Sequence, residues 1–183
     1  MKFIFGLGNP GLDYSQTRHN AGQMLIDYLA KQLGDGWKSQ SKLKAEVMKA
    51  GELILAKPTT FMNQSGQAIR AVLDYYASFS GPACREQLKN VYLAHDDLDM
   101  ELGSWKLQFG TGPRQHNGLL SAYQHLGTDQ VWHIRIGIDT RQGDRTQPAK
   151  NYVLQKMSAF EQKQLEASFS QIKRQLAKEQ III

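Results

Sequence analysis

Lys2-Phe3-Ile4-Phe5-Gly6-Leu7-Gly8-Asn9-Pro10-Gly11 opens the chain with a short apolar run that stops in a glycine-rich loop. Such a run reads as a buried strand, with the glycines as its turn signal. From Gly6 to Gly11 the residues fit G-x-G-x-x-G, the dinucleotide fingerprint. That motif needs a helix opening at the glycines, with backbone N–H groups facing a pyrophosphate. Here Pro10 removes a donor and Leu12-Asp13-Tyr14-Ser15 lengthen the loop before helical periodicity begins. No second strand ends in an acidic residue about 20 positions later. A nucleotide site is disfavoured. Two readings remain: a tight turn, or a turn that presents Asn9 into a cleft at the strand's C-terminal end, where α/β sheets carry their sites.

Outward from this strand, Ala21, Met24, Leu25, Tyr28 and Leu29 recur at helical spacing, and Gly34 stands just past Leu33 as a stop. Glu46–Ala50 and Leu53–Lys57 flank Gly51-Glu52 and predict a hairpin. Ser65 opens a second helix, buried through Ala68, Ile69, Val72 and Tyr76. Val91–Ala94 is a compact strand running into His95-Asp96-Asp97, and Trp105, Leu107 and Phe109 alternate as a half-exposed strand should. A helix from Asn117 to Leu126, a strand over Trp132–Ile138, a polar loop from Asp139 to Lys150 and a helix through Leu165, Phe169, Ile172 and Leu176 complete the pattern. Strands interleaved with helices, plus one hairpin, predict an α/β fold: a mixed β-sheet sandwiched between helices in a three-layer α/β/α arrangement. With no linker or repeat, residues 1–183 read as a single domain.

Composition narrows the function. The chain has 183 residues, 41% of them hydrophobic, and one cysteine, Cys84. A domain of this size buries enough surface to fold without staples, and the lone cysteine excludes an intrachain disulfide and a Cys-rich zinc site. No apolar run reaches the roughly 18–20 residues of a membrane span, and no signal-peptide core follows Met1, so a cytoplasmic protein is expected. The net charge of +5 is uneven: residues 1–100 carry 11 basic and 10 acidic side chains, residues 101–183 carry 11 and 7. A basic half is compatible with a polyanionic partner.

Several polar residues stand where chemistry could occur. His19-Asn20 lies where the first loop meets the first helix. Asp96 follows a strand beside His95, Asp97 and Asp99, which reads as a metal site, a solvated acidic loop, or a carboxylate orienting a catalytic histidine. Alternation along a strand sends His95 and Asp97 away from Asp96, and no second compact cluster completes a metal shell, so the third reading is favoured. Asn9, Asn63 and Asn117 each stand at a loop junction, where Asn also serves as a turn or capping residue. Together they could make a neutral polar cleft, since a carboxamide both donates and accepts. No G-x-S-x-G elbow is present, and Cys84 reads as part of a Gly-Pro loop segment with nothing in the sequence to activate it. Direct attack by water, with histidine as base, is the expected chemistry.

Taken together, Gly6–Gly11, Tyr14 and Thr17-Arg18-His19-Asn20-Ala21-Gly22 resemble the opening motif of the bacterial-type peptidyl-tRNA hydrolases. Lys57-Pro58-Thr59-Thr60-Phe61-Met62-Asn63-Gln64-Ser65-Gly66 resembles the second motif. His95-Asp96-Asp97-Leu98-Asp99, His116-Asn117-Gly118-Leu119 and Arg135-Ile136-Gly137-Ile138 resemble the next three, in the family's order. The resemblance implies hydrolysis of the ester joining a peptide to the 3′-terminal ribose of tRNA, with no metal or cofactor. It matches His19 to the catalytic histidine, Asp96 to the carboxylate that fixes it, and Asn9, Asn63 and Asn117 to residues that position the peptide and terminal nucleotide. Tyr14 and Met62 match residues near the same cleft. It also implies a monomer acting on peptidyl-tRNA in the cytoplasm. Lys106, Arg114 and Arg135 are candidate phosphate contacts by charge and placement. One departure stands out: the family's glycine run before His-Asn-Gly reads Gly110-Thr111-Gly112-Pro113-Arg114-Gln115 here, which predicts a stiffer loop. A non-catalytic RNA-binding protein on the same fold is the alternative. The terminal Ile181-Ile182-Ile183 reads equally as a frayed tail or a packing plug.

Overall fold

A computed structural model describes residues 1–34, 36–79, 84–113, 115–144 and 146–182. In chain order the elements are β1 (Lys2–Gly6), α1 (Ala21–Leu33), β2 (Lys38–Gln40), β3 (Ala45–Ala50), β4 (Leu53–Pro58), α2 (Ser65–Ala77), α3 (Cys84–Leu88), β5 (Val91–Glu101), β6 (Trp105–Phe109), α4 (Asn117–Leu126), β7 (Trp132–Asp139), α5 (Ala149–Val153) and α6 (Ala159–Lys178). Among the described residues the strands form one sheet in the order β2-β3-β4-β1-β5-β7-β6. Its centre, β4-β1-β5-β7, is parallel. The β3–β4 hairpin and β2 extend one edge antiparallel, and β6 closes the other.

The apolar run that opens the chain is continuous because β1 is buried on both faces. Phe3 and Phe5 pack with Ile69, Val72 and Leu119 of α2 and α4, while Ile4 packs with Leu25, Leu29 and Phe169 of α1 and α6. These are the three layers expected. The structure also settles the C-terminal tail: Ile181 and Ile182 are each 5% exposed and join the α1/α6 core, so they pack rather than fray. Ile183 lies outside the described residues.

Two expectations are corrected. His95 to Asp99 is not a loop: β5 runs eleven residues to Glu101, and His95 and Asp97 are completely buried. Polar residues persist in this strand because β7 supplies partners on one side, as described below. Cys84, placed in a loop from sequence, opens the short helix α3. The strand β2 and the single helical turns Arg18–Asn20 and Met62–Gln64 left no periodic signal in the sequence.

What positions the site is the shared direction of β4, β1 and β5. Being parallel, they end on the same side of the sheet, so the residues after each end collect together. Helix α1 then folds back against the sheet at unusually close range. A Cβ on Gly22 would fall inside the carbonyl oxygens of Ala94 and Leu7, so only glycine lets the helix start lie directly over β1 and β5. Gly66 plays the same part between α2 and the Ser121 carbonyl of α4.

Candidate active site

The loop after β1 contains no helix N-terminus at its glycines, which disposes of the dinucleotide reading. Gly11 takes a positive φ of 99°, and the chain continues in turns until Arg18. The loop is instead stitched to the start of α1. Asn20 accepts a hydrogen bond from the Asn9 backbone N–H through Oδ1 (2.9 Å) and donates from Nδ2 to the Asn9 carbonyl (2.8 Å). This buried carboxamide mimics a strand pair. Asn9 Oδ1 in turn accepts the Met62 N–H at 2.9 Å. With its oxygen occupied, Asn9 has its NH2 to offer to the cleft.

Alternation along β5 decides which acid reaches the helix start. Ala94 and Asp96 face α1, while Leu93, His95 and Asp97 face α4. Asp96 therefore meets His19, which the Arg18–Asn20 turn holds just ahead of α1: His19 Nδ1 lies 2.8 Å from Asp96 Oδ1. The same oxygen is 2.9 Å from Nε2 of His116. His116 is the N-cap of α4, and its Nδ1 accepts from the backbone N–H groups of Gly118 (3.1 Å) and Leu119 (3.3 Å). A nitrogen that accepts carries no proton, so the ring hydrogen of His116 sits on Nε2 and donates to Asp96. Asp96 and His116 are both buried, at 3% and 5% exposure.

This arrangement assigns the chemistry of His19. Its Nδ1–H donates to Asp96, and Nε2, without a partner among the described residues, is a free base beside a cleft of about 880 Å³. Burial alone would lower the His19 pKa, but the charge and hydrogen bond of Asp96 outweigh it and leave the pKa raised. Burial alone would likewise raise the Asp96 carboxyl, yet the two imidazoles hold it far below the usual carboxylate range.

The cleft gathers most of the residues singled out in the sequence. Asn9, His19, Met62, Asn63, Asp96, Asn117 and Arg135 line it, with Asn63 and Asn117 exposed and Met62 buried. Tyr14 does not line it; its ring meets the cleft residue Phe61 edge-on at 6.4 Å. Arg135 donates to Asp97 (2.7 Å) and Gln108 (2.9 Å). Lys106 stands opposite Arg135 in the β6–β7 register, exposed on the same face but outside the cleft lining. Arg114 lies outside the described residues. Among the described residues, His19, Asp96 and His116 alone group their ligand atoms as a metal shell would, within 4.8 Å. The protons on His19 Nδ1 and His116 Nε2 occupy the lone pairs a metal would need, so the donor set fits hydrogen bonding.

Sequence reasoning missed three contributors. His116 and Asn20 stood inside quoted motifs, but their partners lie 20 and 11 residues away. Arg18 is the third. It is buried beside His19, donates through Nε (2.9 Å) and Nη2 (2.5 Å) to Glu161 Oε1, and reaches the Tyr152 carbonyl and Gln155 Oε1, both at 3.2 Å. Its guanidinium lies 4.2 Å over the Tyr152 ring. Glu161 is also the N3 residue of the α6 capping box with Ser158. Arg18 thus ties the turn that carries His19 to α5 and α6, and α5 supplies Ala149, Lys150 and Val153 to the cleft wall. Arg18→Met is expected to destabilise the protein by about 3–5 kcal/mol, because it leaves Glu161 buried without its cation. Urea unfolding of the two proteins measures this, and a difference below about 1 kcal/mol would show the pair to be dispensable.

The chain matches the family described as Peptidyl-tRNA hydrolase over residues 3–181. It is 40% identical over 173 residues to a peptidyl-tRNA hydrolase of Gloeobacter violaceus, covering 91% of this chain and 81% of that relative. A peptidyl-tRNA hydrolase of Neisseria meningitidis serogroup C is 39% identical over 170 residues, covering 91% and 83%. The crystal structure of peptidyl-tRNA hydrolase from Acinetobacter baumannii superposes with a TM-score of 0.78 at 31% identity, over 99% of this chain and 94% of that one.

Proposed function

Since the chain belongs to the peptidyl-tRNA hydrolase family, it is a hydrolase that cleaves the ester bond of peptidyl-tRNA, and we propose that it does so by direct attack of water with His19 as general base. The observation that carries this reading is the free Nε2 of His19 beside the cleft, with Nδ1 pinned to a buried, ionised Asp96. Nε2 takes a proton from water as the oxygen attacks the ester carbonyl carbon. Asp96 stabilises the imidazolium that forms. The tetrahedral intermediate then expels the ribose 3′-oxygen, which receives the proton back from Nε2. The products are a free peptide carboxylate and tRNA. An ester is reactive enough to need neither a covalent enzyme intermediate nor a metal.

The binding roles follow from charge and placement. The NH2 of Asn9 and the exposed carboxamides of Asn63 and Asn117 read peptide main-chain groups without favouring any side chain. Phe61, which lines the cleft and is braced edge-on by Tyr14, is placed to meet the terminal nucleotide. Arg135 and Lys106, on one face of β6–β7, are the phosphate contacts this reading favours, with Arg114 a third on charge alone. Residues 1–183 act as one domain, a monomer in the cytoplasm. The alternative of a non-catalytic RNA-binding protein is not supported, since the matched relatives are the hydrolases themselves.

The test is to incubate the protein with N-acetyl-aminoacyl-tRNA and with free-amine aminoacyl-tRNA. Release of tRNA from the blocked substrate alone is expected, unchanged by EDTA. Tight tRNA binding without release would refute the proposed chemistry, and a loss in EDTA reversed by added metal would replace His19 by a metal-bound water.

A further inference from the structure

Behind Asp96 lies a second set of buried histidines that the mechanism above does not use. His95 and His133 are each fully buried, with His95 Nε2 3.3 Å from His133 Nδ1. His133 Nε2 lies 3.3 Å from the Tyr123 hydroxyl of α4, and His95 Nδ1 lies 2.9 Å from the backbone carbonyl oxygen of Asp96. The directions of these bonds follow from their far end. A carbonyl only accepts, so His95 Nδ1 carries a proton and, in the neutral ring, Nε2 does not. His133 Nδ1–H then donates to it, and Tyr123 donates to His133 Nε2. Burial keeps both rings neutral: the His133 pKa is lowered to about 4 and that of His95 is well below normal.

The reason a side chain is needed here lies in the sheet. Along β5 the carbonyls of Ala94 and Asp96 point toward β1. The Ala94 carbonyl is met by the Leu7 N–H at 2.9 Å. Two residues on, the matching donor would be the Asn9 N–H, but that group has turned away to Asn20 Oδ1. The β1–β5 register ends at Gly6 and Ala94, so among the described residues no N–H of β1 meets the carbonyl of Asp96, a residue only 3% exposed. The same split that opens the cleft therefore orphans the carbonyl of the residue that must hold still. His95 supplies the missing N–H from the opposite face of the strand, and its ring also packs edge-on to His116 at 5.3 Å.

We infer that His95 is a positioning residue for the hydrolase reaction, fixing the Asp96 backbone so that Oδ1 meets His19 and His116 together. His133 and Tyr123 hold it in the required tautomer. The inference rests on the reading of His19–Asp96 as the working pair. Misplacing a reacting group by about 1 Å can cost on the order of 100-fold in rate, and the effect belongs in kcat because nothing in this relay lines the substrate cleft.

Two isosteric halves of the imidazole separate this role from core filling. In His95→Asn the carboxamide NH2 replaces Nδ1–H and keeps the bond to the Asp96 carbonyl. In His95→Gln the longer side chain reaches His133 but places no donor on that carbonyl. On N-acetyl-aminoacyl-tRNA, kcat is expected to fall by about 10–100-fold in His95→Gln and His95→Leu with KM little changed, and to be largely retained in His95→Asn. Equal turnover in the Asn and Gln variants, wild-type turnover in the Leu variant, or a loss confined to KM would each overturn the assignment. If the Leu variant does not fold, the Asn and Gln pair decides alone. An activity-free measurement separates this inference from the mechanism: ¹⁵N-histidine spectra of the wild-type protein should show His95 as the neutral Nδ1–H tautomer. The opposite tautomer refutes the relay whatever the hydrolysis assay gives.

Discussion

His19→Ala is expected to lower kcat on N-acetyl-aminoacyl-tRNA by about 10²–10⁴, the usual worth of a general base, while tRNA affinity stays close to wild type. The substitution removes the free Nε2 but little else. Asp96 keeps its bond to His116, and the loop to α1 remains stitched through Asn9 and Asn20. The pH dependence adds a second check. Only the neutral imidazole can take a proton, and Asp96 raises the His19 pKa, so the acid limb of kcat/KM should lie above the ordinary histidine value of 6.5. The stability effect has the opposite pH sense. A raised folded-state pKa stabilises the protein most below the unfolded value of 6.5, and that contribution disappears as pH rises through the folded pKa. His19→Ala should therefore cost more stability at mildly acid pH than under alkaline conditions. Near-normal turnover in the variant would remove His19 from the reaction.

The parts of this protein legible in its sequence are those whose physics is local. The hairpin at Gly51-Glu52, α1 ending at Gly34 in a left-handed cap, and α4 ending at Gly127 in another follow from alternation, helical spacing and glycine's tolerance of positive φ. The polar half of β5 was illegible because a buried strand is expected to be apolar. His95 and Asp97 break that rule only because β7 brings His133 and Arg135 beside them, a pairing about 38 residues distant that no window of sequence contains.

The site divides in the same way. His19 and Asp96 could be picked out by residue type and by the order of motifs, yet neither position predicts that a single carboxylate oxygen serves two histidines. The role of His116 depends on a cap: two backbone N–H groups of α4 consume Nδ1 and so aim the Nε2 proton at Asp96. From sequence, Asn117 looked like the functional residue at this helix start and His116 its neighbour. The basic surplus of residues 101–183 is likewise only partly informative. Arg135 contributes to it but is already paired with Asp97, whereas Lys106 is exposed.

Asp96→Asn is the second large effect, and the shared oxygen dictates its character. In serine-protease triads the equivalent change costs about 10⁴ because it turns the histidine into the wrong tautomer. Here both imidazole hydrogens converge on Oδ1, so an Asn carbonyl oxygen at that position accepts both and both tautomers survive. What is lost is the negative charge that stabilises protonated His19. We expect kcat to fall by about 10²–10³, less than the tautomer-scrambling case. The acid limb of the rate profile should move to lower pH, because the charge that raised the His19 pKa is gone. Asp96→Ala should do worse, since it leaves two N–H donors facing a void. Stability supplies an independent reading. The depressed Asp96 pKa contributes stability that is present above its unfolded value of 3.8 and is lost as pH falls toward the folded pKa. Because Asn does not titrate, the gap between wild type and Asp96→Asn should narrow on acidification below about pH 4. A gap that instead widens as pH falls from neutrality toward about 4 would mean that Asp96 is protonated in the folded protein, and it would then be the proton donor of the pair.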